Sequence, residues 1–215
     1  KGNYSIAVIL DIQNTNVYFP QKMYDMFHWI VDNKETENIQ FALSLGDVTW
    51  NGHAGADSSS AINEFTTAQT AFSILTEGGI DYSITYGNHD YTPGSPRNTE
   101  LFNQYFPYEN FARQKSFGGA MEVGKSDNTY YCFTVNRINY LVLSLEYNPS
   151  QETLDWANNV VKSHPEYNVI VATHGYLDGK GGWLSPSDGG EGELIWNNLI
   201  KKHSNIFMVP MWSLV

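Results

Sequence analysis

Along the chain, short apolar runs rich in β-branched and aromatic residues alternate with stretches of helical periodicity. Tyr4–Leu10, Ile39–Leu45, Ile80–Tyr86, Val169–Thr173 and Ile206–Val209 have the pattern of buried strands. Gln21–Asn33 sets Met23, Met26, Phe27 and Ile30 at spacings of three and four, and Ala61–Thr76 does the same with Phe65, Ala68, Phe72 and Leu75. Both predict amphipathic helices lying on a sheet. A third helix is predicted to open at Pro149-Ser150, to bury Leu154, Ala157 and Val161, and to end at His164-Pro165. A fourth covers Glu191–His203 with Leu194, Ile195, Leu199 and Ile200 inward. Tyr130–Val135 and Tyr140–Leu145 flank the polar pair Asn136-Arg137, the signature of an antiparallel hairpin. The class is therefore α/β with mixed pairing. Thr92–Asn98 and Gly179–Gly192 lack periodicity and read as long surface loops near the working face.

Composition narrows this further. A length of 215 residues with 41% hydrophobic content suits one domain spanning residues 1–215. The longest apolar runs, such as Ile6–Leu10 and Val169–Ala172, are too short for a bilayer, so no membrane segment is expected. Acidic residues outnumber basic ones by 23 to 12, and the net charge of -11 would repel a phosphate backbone, so nucleic acid is not an expected partner. The single cysteine, Cys132, excludes an internal disulfide framework. Sparse Lys and Arg beside plentiful Tyr, Asn and Trp incline the reading towards a secreted or periplasmic protein, and the oligomeric state stays open.

Four predicted strands end in residues suited to hard metal ions. The first runs into Asp11-Ile12-Gln13, the second into Gly46-Asp47, the third into Gly87-Asn88-His89-Asp90 and the fourth into His174-Gly175. Singly, each has a plain explanation, because Asp closes turns, Gly-Asp and Gly-Asn are common turn pairs, and an isolated His is usually a packing residue. Ligand sites of α/β sheets lie beyond the carboxyl ends of the strands, however, so these four endings should converge in space.

In order and separation, Asp11-Ile12-Gln13, Gly46-Asp47, Gly87-Asn88-His89-Asp90 and Thr173-His174-Gly175 resemble the motifs of the calcineurin-like metallophosphoesterases. The likeness spans Tyr4 to Val209. It implies two mixed β-sheets sandwiched between helices, and hydrolysis of a small phosphate mono- or diester by a hydroxide activated between two metal ions. It further implies that Asp11 holds the first metal, Asp47 bridges both, and Asn88 and His174 hold the second, with His89 as general acid and Asn88 and His89 meeting the substrate. Oxygen and imidazole donors suit Mn, Fe or Zn.

The chain departs from that pattern in three places. Most of the family has His where Gln13 stands, although a branch with Asp-Xaa-Gln resembles this form, and a neutral amide should hold the first metal loosely. An acid usually follows the bridging Asp by three positions and orients the general acid; here Trp50 occupies that place, leaving Asp90 or a backbone carbonyl for the task. Trp50, Asn51 and His53 are pocket-lining candidates, as are Tyr86, Tyr176 and Trp183, while His28, His164 and His203 are assigned to structure. The loop acids Asp188 and Glu191 are expected to border the pocket.

The third departure concerns the end of the chain. The resemblance calls for Gly-His-Xaa-His after the strand ending at Val209, with one His for each metal, yet the sequence reads Pro210-Met211-Trp212-Ser213-Leu214-Val215. Met211-Trp212 fixes the bases ATGTGG, which read one base later, with a Ser213 codon, open with Cys-Gly. His follows if that codon is TCA. The sequence thus carries the expectation of a C-terminally incomplete domain, by a frameshift or else by a natural or designed truncation with a chance tail, that binds one metal or none, and with it an alternative function as a catalytically silent or impaired domain.

Overall fold

The computed structural model describes residues 3–94, 97–185 and 190–212. Three parallel strands, β1 (Ser5–Ile9), β2 (Ile39–Ser44) and β3 (Tyr82–Ile84), form the first sheet in that order. Parallel neighbours need crossovers. The first is made by α1 (Gln13–Tyr18) and α2 (Pro20–Asp32), the second by α3 (Ser59–Glu77). Pro20 starts α2 at a position where its missing N–H is no loss, and Met23, Phe27 and Ile30 turn inward. Ser58 caps α3 by accepting from the Ala61 N–H, and Phe72 of α3 meets Phe27 edge-on at 4.9 Å.

The second sheet is mixed. Its strands β4 (Phe117–Ala120), β5 (Thr129–Val135), β6 (Ile138–Ser144), β7 (Asn168–Gly175) and β8 (Ile206–Met208) lie in sequence order, and β9 (Met211–Trp212) pairs with the end of β7. Antiparallel pairing of β5 with β6 across Asn136 and Arg137, both at positive φ, is the predicted hairpin. In β6 the period of two splits the strand: Val142 faces the first sheet, whereas Leu141 and Leu143 face α6 (Gln151–Lys162) and α7 (Gly192–Asn198). Helices α4 (Glu100–Tyr105) and α5 (Tyr108–Ala112) fill the link from β3 to β4. The layers therefore run helix, sheet, sheet, helix, with one apolar core reaching from α2 and α3 through the first sheet to the second, and another under α6 and α7. This is the expected pair of sheets flanked by helices, except that among the described residues the first sheet is all parallel and only the second is mixed. Among the described residues, no helix is long and apolar enough to cross a membrane.

Several boundaries differ from the sequence reading. The third strand shrinks from Ile80–Tyr86 to Tyr82–Ile84, with the Ile80 N–H still bonded to the Leu75 carbonyl at the end of α3. The predicted helix Glu191–His203 breaks at Leu199, which leaves helical φ, into α7 and a 3-10 turn over Ile200–Lys202. His203 does not extend that helix but bonds Asn158 at 2.7 Å. The loop Thr92–Asn98 closes on a bridge between its two ends, with residues 95 and 96 outside the described residues. Asp188 and residues 213–215 also lie outside them.

Candidate metal centre

The turn after β2 creates the floor of the site. Gly46 and Asp47 both take positive φ, at 91° and 47°, reversing the chain so that the Asp47 carboxylate points back across the strand ends. Glycine is required at 46, where a Cβ would lie 2.6 Å from the Gly87 nitrogen. Across this close approach the His89 N–H donates to Asp47 Oδ1 at 3.0 Å. From the second sheet, His174 brings its Nε2 to 3.3 Å from Asp47 Oδ2 and 3.2 Å from Asn88 Oδ1. Its Nδ1 lies 2.7 Å from the Leu45 carbonyl, which fixes the proton there and turns the other nitrogen to the site.

Asp11 and Gln13 form the neighbouring group. Asp11 accepts from the Gln13 N–H and from Gln13 Nε2, both at 3.0 Å, so the carboxylate caps the turn into α1. Burial, and then the charge of Asp47, push Asp11 up to about 6. Asp47 itself is 2% exposed. The buried Gln13 Oε1 has no hydrogen-bond partner among the described residues. Burial works to lower the pKa of His174, yet Asp47 and the Leu45 carbonyl outweigh it and the net direction is up. Asp90, 1% exposed, is raised by burial and by Asp47 against the pull of its hydrogen bonds. Among the described residues, no Lys or Arg forms an ion pair with Asp11, Asp47 or Asp90.

These observations fit a cation: two carboxylates short of positive charge, an imidazole nitrogen and two amide oxygens, one of them orphaned, on adjoining strand ends. The fit is partial. Among the described residues, no three His, Cys, Asp or Glu side chains cluster closely enough to make a metal cage by themselves.

His89 is held differently from either acid-based arrangement. Asp90 accepts from the Gly87, Val48 and Thr49 N–H groups at 2.8, 3.2 and 2.9 Å and from the Thr49 hydroxyl at 2.8 Å, pinning two loops together and not touching the imidazole. His89 Nδ1 instead meets the Trp50 carbonyl at 2.7 Å, the backbone alternative left open by the sequence. Its ring packs on Trp50 at 5.2 Å and on His53 at 5.4 Å. Sequence reasoning missed Glu64, which accepts from the Trp50 and Asn51 N–H groups at 2.7 Å each. It also missed Asn16, whose amide ties the Val48 and Glu64 carbonyls at 2.7 and 2.9 Å. The available signal was an acid, Glu64, placed between Ala61 and Ala68 on the buried face of α3.

Beside the centre lies a cleft of ≈ 460 Å³ lined by Tyr86, Arg97, Asp127 and Glu146 among others. Tyr86 donates to Glu146 at 2.9 Å, Arg97 donates to the Tyr147 and Asn148 carbonyls, and Tyr147 packs edge-on against His174 at 5.7 Å. Trp183 stacks between Tyr176 and Trp196 beyond β7, away from the five candidate ligands' mutual contacts.

The chain folds as a two-sheet sandwich flanked by helices, with polar strand ends meeting at one edge. The calcineurin-like phosphoesterase family model matches residues 4–204, and the chain belongs to that family. Over 211 residues it is 29% identical to protein YvnB of Bacillus subtilis (strain 168), a match that covers 97% of this chain and 15% of YvnB. The chain thus spans under a sixth of that relative's length. TT1561 of Thermus thermophilus is similar in fold, with a TM-score of 0.56 at 14% identity, covering 96% of this chain and 80% of that one.

Proposed function

We propose that this domain hydrolyses a small phosphate mono- or diester at the Asp11–Asp47–His174 centre. What carries the reading is the convergence of Asp11, Gln13, Asp47, Asn88 and His174, with two carboxylates lacking any Lys or Arg partner among the described residues. Asp11 and Gln13 would hold one metal, Asn88 and His174 a second, and Asp47 both; Mn, Fe or Zn suit these donors. Bound, such ions supply an acidified water and neutralise charge on the phosphate.

The chain's own residues do the rest. The left-handed turn at Asp47 holds its carboxylate rigid against the His89 N–H, and burial of His174 keeps bulk water from the inner face. As water, giving up one proton to solvent, adds to phosphorus and the ester P–O bond breaks, His89 gives its Nε2 proton to the leaving oxygen. Its Nδ1 keeps its own proton and goes on donating it to the Trp50 carbonyl oxygen. Asn88 offers its amide to the phosphate.

The second reading, a silent or impaired domain, draws on the lack of three clustered His, Cys, Asp or Glu side chains among the described residues. A panel of mono- and diesters assayed with added Mn or Zn separates the two. The hydrolase reading expects turnover that chelator abolishes, and the silent reading expects none with any ester.

A further inference from the structure

We infer that Glu64 is a positioning residue for His89, acting through a single peptide unit; the role at turnover rests on the function proposed above, whereas the positioning itself does not. The Asn51 N–H and the Trp50 carbonyl belong to the same planar peptide group, in which a trans bond points the two in opposite directions. At one end the N–H donates to Glu64 Oε2 at 2.7 Å, and at the other the carbonyl meets His89 Nδ1 at 2.7 Å. The carboxylate thus addresses the imidazole with one peptide between them. Negative charge at the N–H end polarises the peptide and makes its carbonyl a stronger acceptor for the Nδ1 proton.

The rest of the arrangement leaves Glu64 little other use. It is 4% exposed on the buried face of α3, and among the described residues it has no ion-pair partner. Its donors all belong to one turn: the Trp50 N–H at 2.7 Å, the Asn51 N–H at 2.7 Å and Asn51 Nδ2 at 2.6 Å. Three charge-assisted hydrogen bonds fix that turn in direction as well as place. The same stretch carries the Trp50 and His53 rings that pack on His89 at 5.2 and 5.4 Å, so the carboxylate that fixes it bears on these contacts as well.

Nitrogen-15 NMR of the histidines tests the positioning without reference to turnover. In the wild-type protein His89 should show a protonated, slowly exchanging Nδ1–H, and a ring protonated only on Nε2 would overturn the inference at once. Glu64→Gln keeps an accepting oxygen but no charge, and should weaken that Nδ1–H bond, seen as faster exchange and an upfield proton shift. Glu64→Ala should do so more strongly. An unchanged Nδ1–H in a folded variant contradicts the inference.

Kinetics reads the consequence. Glu64→Gln should lower kcat for an alkyl phosphate by roughly tenfold or more with KM little changed, and lower it by less than about twofold for a dinitrophenyl phosphate, whose leaving group needs no acid. An equal loss on both esters would overturn the link to proton donation. A wild-type protein with the expected NMR signature and no turnover on any ester would refute the hydrolase reading and leave the positioning standing.

Discussion

Asp11 is half buried, feels the charge of Asp47, and has only Gln13 and His174 to offset it, which is why it is pushed up to about 6. The sign of the linkage follows. A carboxyl that holds its proton more tightly folded than unfolded favours the fold most below its ordinary value of 3.8, and that contribution is lost as pH rises through about 6. A cation on the ionised carboxylate works in the opposite direction. The thermal stabilisation given by Mn should therefore be larger at pH 7 than at pH 5, and melting curves with and without metal at the two values would show it. Equal stabilisation at both would remove Asp11 from the centre. Four of the five candidate ligands stand out in the sequence because strand ends announce themselves by the switch from apolar run to Asp, Asn or His, whereas Gln13 is a candidate by the family resemblance alone. Glu64 was not read, because two of its three donors are the main-chain N–H groups of Trp50 and Asn51, which a sequence does not display, leaving its place on the buried face of α3 as the signal.

At the scale of elements, what was legible followed the strength of periodicity. Helices α2, α3 and α6 bury stripes at spacings of three and four and appear where expected. Helix α1 was missed because Gln13-Asn14-Thr15-Asn16 presents no apolar stripe; hydrogen bonds from Asn16 to Val48 and Glu64 hold it instead. Strand β4 was missed because Gly118-Gly119 has poor strand propensity, and its stability comes from the Tyr130 ring of β5 lying over the glycines. The turn after β3 depends on a glycine in another way. A Cβ on Gly87 would collide with Asp47 Oδ1 and sit 2.6 Å from the Asp47 nitrogen. Gly87→Ala should thus push the Asn88-His89 turn off Asp47, destabilise the fold by about 2 kcal/mol, and weaken metal binding. Chemical denaturation together with metal titration would check both effects, and unchanged metal affinity would mean that the approach of the two turns does not shape the centre.

Across the whole molecule, the centre joins what the fold builds separately. Asp11, Asp47 and Asn88 follow strands of the first sheet, whereas His174 lies near the end of β7 in the second. A metal held by both groups should lock the sheets together, so removing it should lower the melting temperature of the entire domain and not of one sheet alone. Circular dichroism for helices and near-ultraviolet signals from Trp50 and Trp183 should accordingly melt together, with or without chelator. The donor set is rich in amides and holds few charges, so metal should leave readily. Elemental analysis after dialysis against chelator is expected to find less than one metal per chain, and two retained ions would contradict the weak site.

The most direct test compares the wild-type protein with Asp47→Asn on a generic aryl phosphate ester in the presence of Mn or Zn. Asparagine keeps the shape of Asp47 and tolerates its φ of 47°, so the variant should fold as before while losing the carboxylate proposed to hold both metals. We expect metal-dependent release of the aryl alcohol by the wild type and a loss of at least about a hundredfold in the variant. Undiminished hydrolysis by Asp47→Asn, or a wild-type rate indifferent to chelator, would contradict a metal-dependent centre built on Asp47.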